Sequence, residues 1–240
     1  VNEWVFVYDQ WNPEDQHIRE ALSTLSNRYW CTRGAAEEAT QSGCHYPGTY
    51  LAGGYDGLEK IIAGEAINHE VLVNWPNWLY LTFTMKNGSW FDVEKVHIRH
   101  YRRELDLQRG LLTRDMHVVE PEGRETILRS VRLVHIRYPH LAALQWAFIP
   151  QNWSGHIQVR SVLDAGIING NVERYREMNG KHFRVLHSGL HRQGELYMVT
   201  EALQLHIRTA QGVRTHCSGA TVIQSIRPAG IQYGDGRIPH

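Results

Sequence analysis

Apolar and polar positions alternate with a period of two over most of this chain, beginning near residue 72. His156-Ile-Gln-Val-Arg and Leu203-Gln-Leu-His-Ile-Arg show the pattern most clearly, and period two is that of a half-buried strand. The alternation predicts strands over Leu72–Val73, Leu79–Met85, Val96–Tyr101, Met116–Val119 and Thr126–Ile136. It continues over Ala142–Ile149, His156–Leu163, His182–Leu186, Leu196–Ile207 and Val213–Ile226. The breaks at Lys86-Asn87-Gly88, Pro121-Glu122-Gly123, Asn152-Trp153-Ser154-Gly155, Gln193-Gly194 and Gln211-Gly212 carry turn chemistry, which reads as hairpins and antiparallel pairing. One helix precedes them. Asn12 stands at its N-cap, Pro13 at its first position, and Glu14 and Asp15 in its first turn; Ile18, Ala21, Leu22 and Leu25 form its apolar face, and Asn27 is its stop. Many short strands with few helices imply a mainly β fold, a large antiparallel sandwich of two sheets. No internal repeat or linker divides it, so residues 1–240 read as a single domain.

Cys31 to Asp56 has neither period. The segment is rich in glycine, alanine, tyrosine and small polar residues. Irregular stretches longer than about 12–15 residues inside a compact domain are usually functional or disordered, and its Tyr46, Tyr50 and Tyr55 argue against disorder. A second distinctive stretch, Leu72 to Leu81 (LVNWPNWLYL), places Pro76 between Trp75 and Trp78, which bars it from a regular central strand.

The formal net charge is zero, which gives no electrostatic case for nucleic acid or an anionic membrane. The arginines are spread along the chain and read as solvated strand faces. Cys31, Cys44 and Cys217 have irregular spacing and no CxxC, so they read as free thiols of a reducing cytoplasm. The N-terminus does not begin with methionine and shows no signal-peptide pattern, and no stretch is long enough to span a bilayer. Fifteen histidines raise the question of a metal, but no HExxH or HxH occurs and none is assigned. Phosphate-loop and nucleophile-elbow motifs are also missing from the sequence. Glu37 and Glu38 are adjacent and so form a poor catalytic pair; the simplest alternative is one carboxylate on Arg33 and one in solvent. Tyr50, Tyr55, Trp75 and Trp78 are candidates to stack on a sugar ring, the alternative being that both tryptophans fill the core beneath a loop.

Three segments carry a resemblance. Ser23-Thr-Leu-Ser-Asn27-Arg-Tyr-Trp-Cys-Thr-Arg33-Gly34-Ala-Ala-Glu37 is similar to SLGNGYLGTRG…E. Tyr46-Pro47-Gly48-Thr49-Tyr50-Leu51-Ala52-Gly53-Gly54-Tyr55 is similar to YPGTYIAGVY, and Leu72-Val73-Asn74-Trp75-Pro76-Asn77-Trp78 to LVNLPNW. Those patterns, in that order, belong to the N-terminal domain of glycoside hydrolase family 65, the maltose, kojibiose and trehalose phosphorylases. Tyr101-Arg102-Arg103-Glu104-Leu105-Asp106-Leu107, Pro139-His140-Leu141-Ala142-Ala143-Leu144 and Asn152-Trp153-Ser154-Gly155 extend the match, while Ser26, Arg28 and Cys31 replace family glycines. The resemblance implies a supersandwich similar to galactose mutarotase, followed in the family by an (α/α)6 barrel that holds the catalytic glutamate and the phosphate-binding groups. His240 precedes any such barrel, so no catalytic residue is carried over and the fragment is expected to be inactive alone. The implied parent reaction is inverting phosphorolysis of an α-glucosyl disaccharide to β-glucose 1-phosphate, with inorganic phosphate as co-substrate and no cofactor. The implied partner is the catalytic barrel of the same polypeptide. Arg33, Glu37, Tyr50, Tyr55, Trp75 and Trp78 are the candidates for the active-site mouth or a homodimer contact. The alternatives are a free-standing carbohydrate-binding sandwich and a mutarotase-like protein. Without its barrel, the domain is expected to expose an apolar face.

Overall fold

The structure is a computed structural model that describes residues 3–41, 43–62, 65–85, 88–170, 180–191, 194–219 and 221–227. In chain order its strands are β1 (Val5–Tyr8), β2 (Leu25–Ser26), β3 (Trp30–Thr32), β4 (Thr49–Leu51), β5 (Tyr55–Ile62), β6 (Glu65–Leu72), β7 (Leu81–Met85) and β8 (His97–Asp106). They continue with β9 (Leu111–Val119), β10 (Glu125–Val134), β11 (Ala142–Pro150), β12 (Ile157–Asp164), β13 (Phe183–Leu190), β14 (Glu195–Ala202), β15 (Arg208–Arg214) and β16 (Thr221–Arg227). Helix α1 (Gln16–Leu22) follows a 3₁₀ turn at Pro13–Asp15, and a second 3₁₀ turn spans Val93–Lys95.

The largest sheet is antiparallel, in the order β1-β8-β9-β10-β11. Its inner face is set by alternation along β9, where Leu112, Arg114, Met116 and Val118 are buried and their neighbours are not. A second sheet, β16-β12-β7, packs against one end of that face. Phe83 of β7 and Val159 of β12 meet Tyr101, Met116, Val118 and Leu128, with Trp146 and Phe148 of β11 closing around them. That contact is the sandwich, and it answers the expectation of a mainly β fold. A third sheet, β13-β14-β15, adds Phe183, Leu196 and Met198 to a second core around Trp75, Leu163 and Ile167. β12 lies between these cores and is buried on both faces over Ser161–Asp164. Small sheets β2-β3-β4 and β5-β6 complete the described architecture.

Several local expectations change. One large five-stranded sheet forms as expected while the remaining strands fall into smaller sheets, and β12 pairs with β16 in parallel, since β16 returns beside β12 by a long connection rather than a tight turn. β1, β2, β3, β4, β5 and most of β6 lie where no period-two signal was read, because their pairing comes from tertiary contacts rather than from a two-sided surface. Gln211-Gly212 is interior to β15, and the real break in that region is residues 203–207. Asn152–Gly155 connects two different sheets instead of closing a hairpin. Pro121–Gly123 does close one, with Gly123 at φ +82°. Lys86, Asn87 and Gln193 lie outside the described residues.

The helix begins as its caps dictate, with Asn12 accepting from the Glu14 amide at 3.1 Å. It ends at Leu22, short of Asn27, and its orientation is the reverse of the expected one. Ile18 and Leu22 are 60% and 61% exposed, whereas Gln16 and Glu20 are fully buried. Buried hydrogen-bond partners for Gln16 and Glu20 decide which face turns inward.

Candidate functional site

The two distinctive stretches of sequence fold into one hydrogen-bonded unit. The Asn74 side chain accepts from the Thr49 amide at 3.0 Å and donates to the Pro47 carbonyl at 3.1 Å. The Trp75 amide donates to the Thr49 carbonyl at 2.8 Å, and the Val73 amide to that of Gly54 at 3.0 Å. Pro76 frees this stretch from a regular ladder, so Asn77 instead exchanges backbone bonds with Asp164 of β12, both at 2.8–2.9 Å. Gly53, at φ +77°, supplies the left-handed position that turns the chain between β4 and β5.

Residues 33–38 lie on the inner face of the large sheet beyond the apolar sandwich, where that face carries charge. Arg103, Arg114 and Ser130 are directly opposite one another on β8, β9 and β10, and Arg132 stands two residues further along β10. All four are buried. Glu37 and Glu38 sit at the centre of a turn closed by the Ala39 amide on the Ala36 carbonyl, so both side chains descend to the same place. Arg114 donates to Glu37 at 2.5 Å and to both oxygens of Glu38 at 2.5 and 2.8 Å. Arg132 donates to Glu37 and to the Ala35 carbonyl, each at 2.8 Å. Burial alone would raise the proton affinity of Glu37, but Arg114 and Arg132 outweigh it and hold the carboxyl well below the usual range. A carboxylate held in this way lacks the raised proton affinity of a general acid. Beside it is a cavity of about 10 Å³ between Arg103, Arg114, Ser130 and Arg132, enough for one water molecule.

This geometry corrects two readings of the sequence. Glu37 and Glu38 do not divide between Arg33 and solvent: both are buried on Arg114. Arg33 is itself buried and donates to the Tyr46 carbonyl at 2.8 Å and the His17 carbonyl at 2.7 Å. Arg103, Arg114 and Arg132 are not on solvated strand faces: the loop brings carboxylates to Arg114 and Arg132, while Arg103 is buried beside them and donates to Gln16 at 3.4 Å.

The remaining candidates separate by exposure. Trp75 has no exposed surface and stacks on Phe183 at 5.8 Å between ring centroids. Trp78 is half-buried, edge-on to Trp30. Tyr50 is half-buried on β4, where burial and the neighbouring Tyr46 push its hydroxyl pKa up. Tyr55 is 40% exposed at the start of β5. The structure therefore joins Arg33, Glu37, Tyr50 and Trp75 within one buried framework, with Trp78 at its margin and Tyr55 on its surface. Sequence reasoning missed Glu20, His45, Arg103, Arg114 and Arg132. The inward register of β9, with Arg114 between Leu112 and Met116, was the available signal.

No helix among the described residues is long and apolar enough to cross a membrane. The three cysteines are free and half-buried.

Comparison with known proteins yields consistent matches. The sequence model of the glycosyl hydrolase family 65 N-terminal domain matches residues 6–232. An uncharacterized glycosyl hydrolase of Mycobacterium tuberculosis is 37% identical over 208 residues, covering 87% of this chain and 15% of that protein. Kojibiose phosphorylase of Thermoanaerobacter brockii is 26% identical over 212 residues, covering 88% of this chain and 26% of that enzyme. Among solved structures, one assigned as a kojibiose phosphorylase from the human microbiome superposes with a TM-score of 0.72 at 20% identity, over 83% of this chain and 26% of that one. The chain thus spans about a quarter or less of the length of these relatives.

Proposed function

The chain belongs to the N-terminal domain of glycosyl hydrolase family 65, and from that premise we propose that it is the non-catalytic scaffold of an enzyme acting on α-glucosyl disaccharides. The parent reaction on this reading is inverting phosphorolysis, with inorganic phosphate as the nucleophile and β-glucose 1-phosphate as the product. Phosphate is already anionic, so one protonated carboxylic acid on the leaving oxygen suffices and no second carboxylate base is needed. The observation that carries the proposal is the family match across residues 6–232 of a chain that spans only 15–26% of its relatives.

The residues of this domain then act by position. The lattice of Glu37, Glu38, Arg114 and Arg132 fixes the irregular segment, and that segment with Asn74–Trp78 presents Tyr50, Tyr55 and Trp78 toward the active-site mouth or a contact between copies. Exposed apolar side chains at Ile18, Leu22, Ile136 and Tyr138 support a domain whose surface is covered by other parts of a larger protein. The test is alanine substitution of Tyr55 and of Trp78 in the full-length enzyme. We expect KM for disaccharide, kcat or the assembly state to change by at least several-fold while the melting temperature moves little for Tyr55→Ala. Unchanged kinetics and unchanged assembly in both variants contradict the role.

A further inference from the structure

We propose that Cys44 Sγ, His45 Nε2 and the Glu94 carboxylate form a binding site for a borderline divalent transition-metal ion, zinc foremost. One imidazole nitrogen, the Cys44 sulfur and a Glu94 carboxylate oxygen lie within 4.8 Å of one another. Cys44 and His45 come from the irregular segment before β4, and Glu94 from the 3₁₀ turn Val93–Lys95, whose Asp92 cap accepts from the Glu94 amide at 3.0 Å. Cys44 Sγ is 2.9 Å from Glu94 Oε1.

The decisive feature is the orientation of His45. Its Nδ1 is 2.7 Å from Oε1 of Glu20, a fully buried carboxylate that also accepts from the Tyr46 amide at 2.8 Å. A carboxylate at Nδ1 sets the tautomer: the proton sits there and the Nε2 lone pair faces the other way. That Nε2 is buried on a residue 5% exposed and has no hydrogen-bond partner. A buried acceptor left unmade is costly, and a metal ion satisfies it. A carboxylate behind a ligating histidine is the usual second layer of a zinc site, where it orients the ring and raises its basicity.

Ligand chemistry narrows the ion. Thiolate and imidazole favour zinc and its neighbours over magnesium or calcium, which take oxygen. Bonds of about 2.0–2.3 Å in a tetrahedron bring ligand atoms to about 3.4–3.7 Å of each other. The Cys44–Glu94 pair, at 2.9 Å, must open by about half an ångström and any pair at the 4.8 Å limit must close by about 1 Å, adjustments within the reach of the exposed Glu94 side chain. Binding converts the Cys44 thiol to thiolate and releases its proton to solvent. Three protein ligands leave a fourth position for water. The ion would join the irregular segment to the Val93–Lys95 turn directly, and to α1 through Glu20. No metal motif announces it, because the ligands are two adjacent residues and a third about fifty positions away.

The experiment adds zinc, and cobalt as its spectroscopic substitute, to the metal-free full-length protein. We expect zinc binding that Cys44→Ser removes, and a thiolate-to-cobalt charge-transfer band that Cys44→Ser abolishes and that Cys31→Ser and Cys217→Ser retain. Glu94→Gln should weaken zinc binding at least tenfold, and Glu20→Gln about 10–100-fold. Absence of a cobalt–thiolate band overturns the proposal, as does a band that survives in Cys44→Ser. If Cys44→Ser fails to fold by circular dichroism, the exposed Glu94→Gln decides, and unchanged zinc affinity there overturns it.

Discussion

Arg114 is where most of the buried charge converges, since its guanidinium serves both Glu37 and Glu38. Removing one member of a buried ion network leaves its partners charged and unpaired, which typically costs about 3–5 kcal/mol. Arg114→Ala and Glu37→Ala are each expected to lose that much in urea unfolding. Arg114→Lys should recover little, because an ammonium lacks the fork that reaches two carboxylates. Glu37 also predicts a pH dependence. Its folded-state pKa is depressed, to about 2 from an ordinary 4.5, so its stabilisation is complete above about pH 4.5 and is lost as pH falls toward 2. Urea midpoints between pH 6 and about 2.5 should fall steeply for the parent chain and less so for Glu37→Gln. Trp75→Ala should cost about 3–5 kcal/mol through the cavity it opens, with no loss of exposed surface. At this scale the aromatic anchors were legible in the sequence, and their burial was one of two readings kept open. The charged framework was not legible. The register of Arg114, two residues from Leu112 and two from Met116, places it on the apolar face, but the carboxylates that meet it there lie about 76 residues away and left no local pattern.

The elements were legible in proportion to how far local pattern decided them. The long strands β10, β11 and β12 each stand on an alternating run and were expected to within two residues, whereas only the second half of β9, Met116–Val119, was expected. α1 was located by Asn12 and Pro13, yet its buried face was misread because Gln16 and Glu20 have partners distant in sequence. Glu20 meets His45, and Gln16 accepts from Arg103 at a long 3.4 Å. The short strands β2, β3 and β4 form only because the segment between them is pinned. That pinning is tight at Gly34, whose amide donates to the Glu20 carbonyl at 2.8 Å. A Cβ at Gly34 would lie 2.5 Å from Ser23 Cβ and 2.7 Å from the Ser23 carbonyl oxygen, and backbone cannot step aside. Gly34→Ala is therefore expected to destabilise by about 1–3 kcal/mol, read as a lowered urea midpoint. Gly43, with open space around it, offers the same measurement without a clash, although its φ of +45° adds a small backbone cost of its own.

For the whole molecule, the sandwich places its apolar core between the large sheet and β7-β12-β16, and uses the rest of the inner face to hold the irregular segment. Ile18, Leu22 and the 77% exposed Ile136 are apolar positions that the described fold leaves uncovered. Ile18→Asp with Leu22→Asp is expected to reduce self-association of the 240-residue chain in sedimentation, with stability changed by no more than about 0.5 kcal/mol, as for ordinary surface positions. Equal association in parent and variant would remove α1 from the contact surface. The family and the fold class were legible because the YPGTY and NWPNW stretches form one structural unit, and spacing within such a unit survives in sequence. The metal ligands were not, since convergence of Cys44, His45 and Glu94 depends on how the segment packs against α1 and the Val93–Lys95 turn.

The central claim, a scaffold that supports catalysis without performing it, is tested most directly by assaying the full-length protein and the 240-residue chain side by side. Kojibiose, maltose and trehalose are each supplied with inorganic phosphate, and β-glucose 1-phosphate is measured. The account predicts phosphorolysis of at least one disaccharide by the full-length protein and none by the chain alone. Turnover by the 240-residue chain would contradict it.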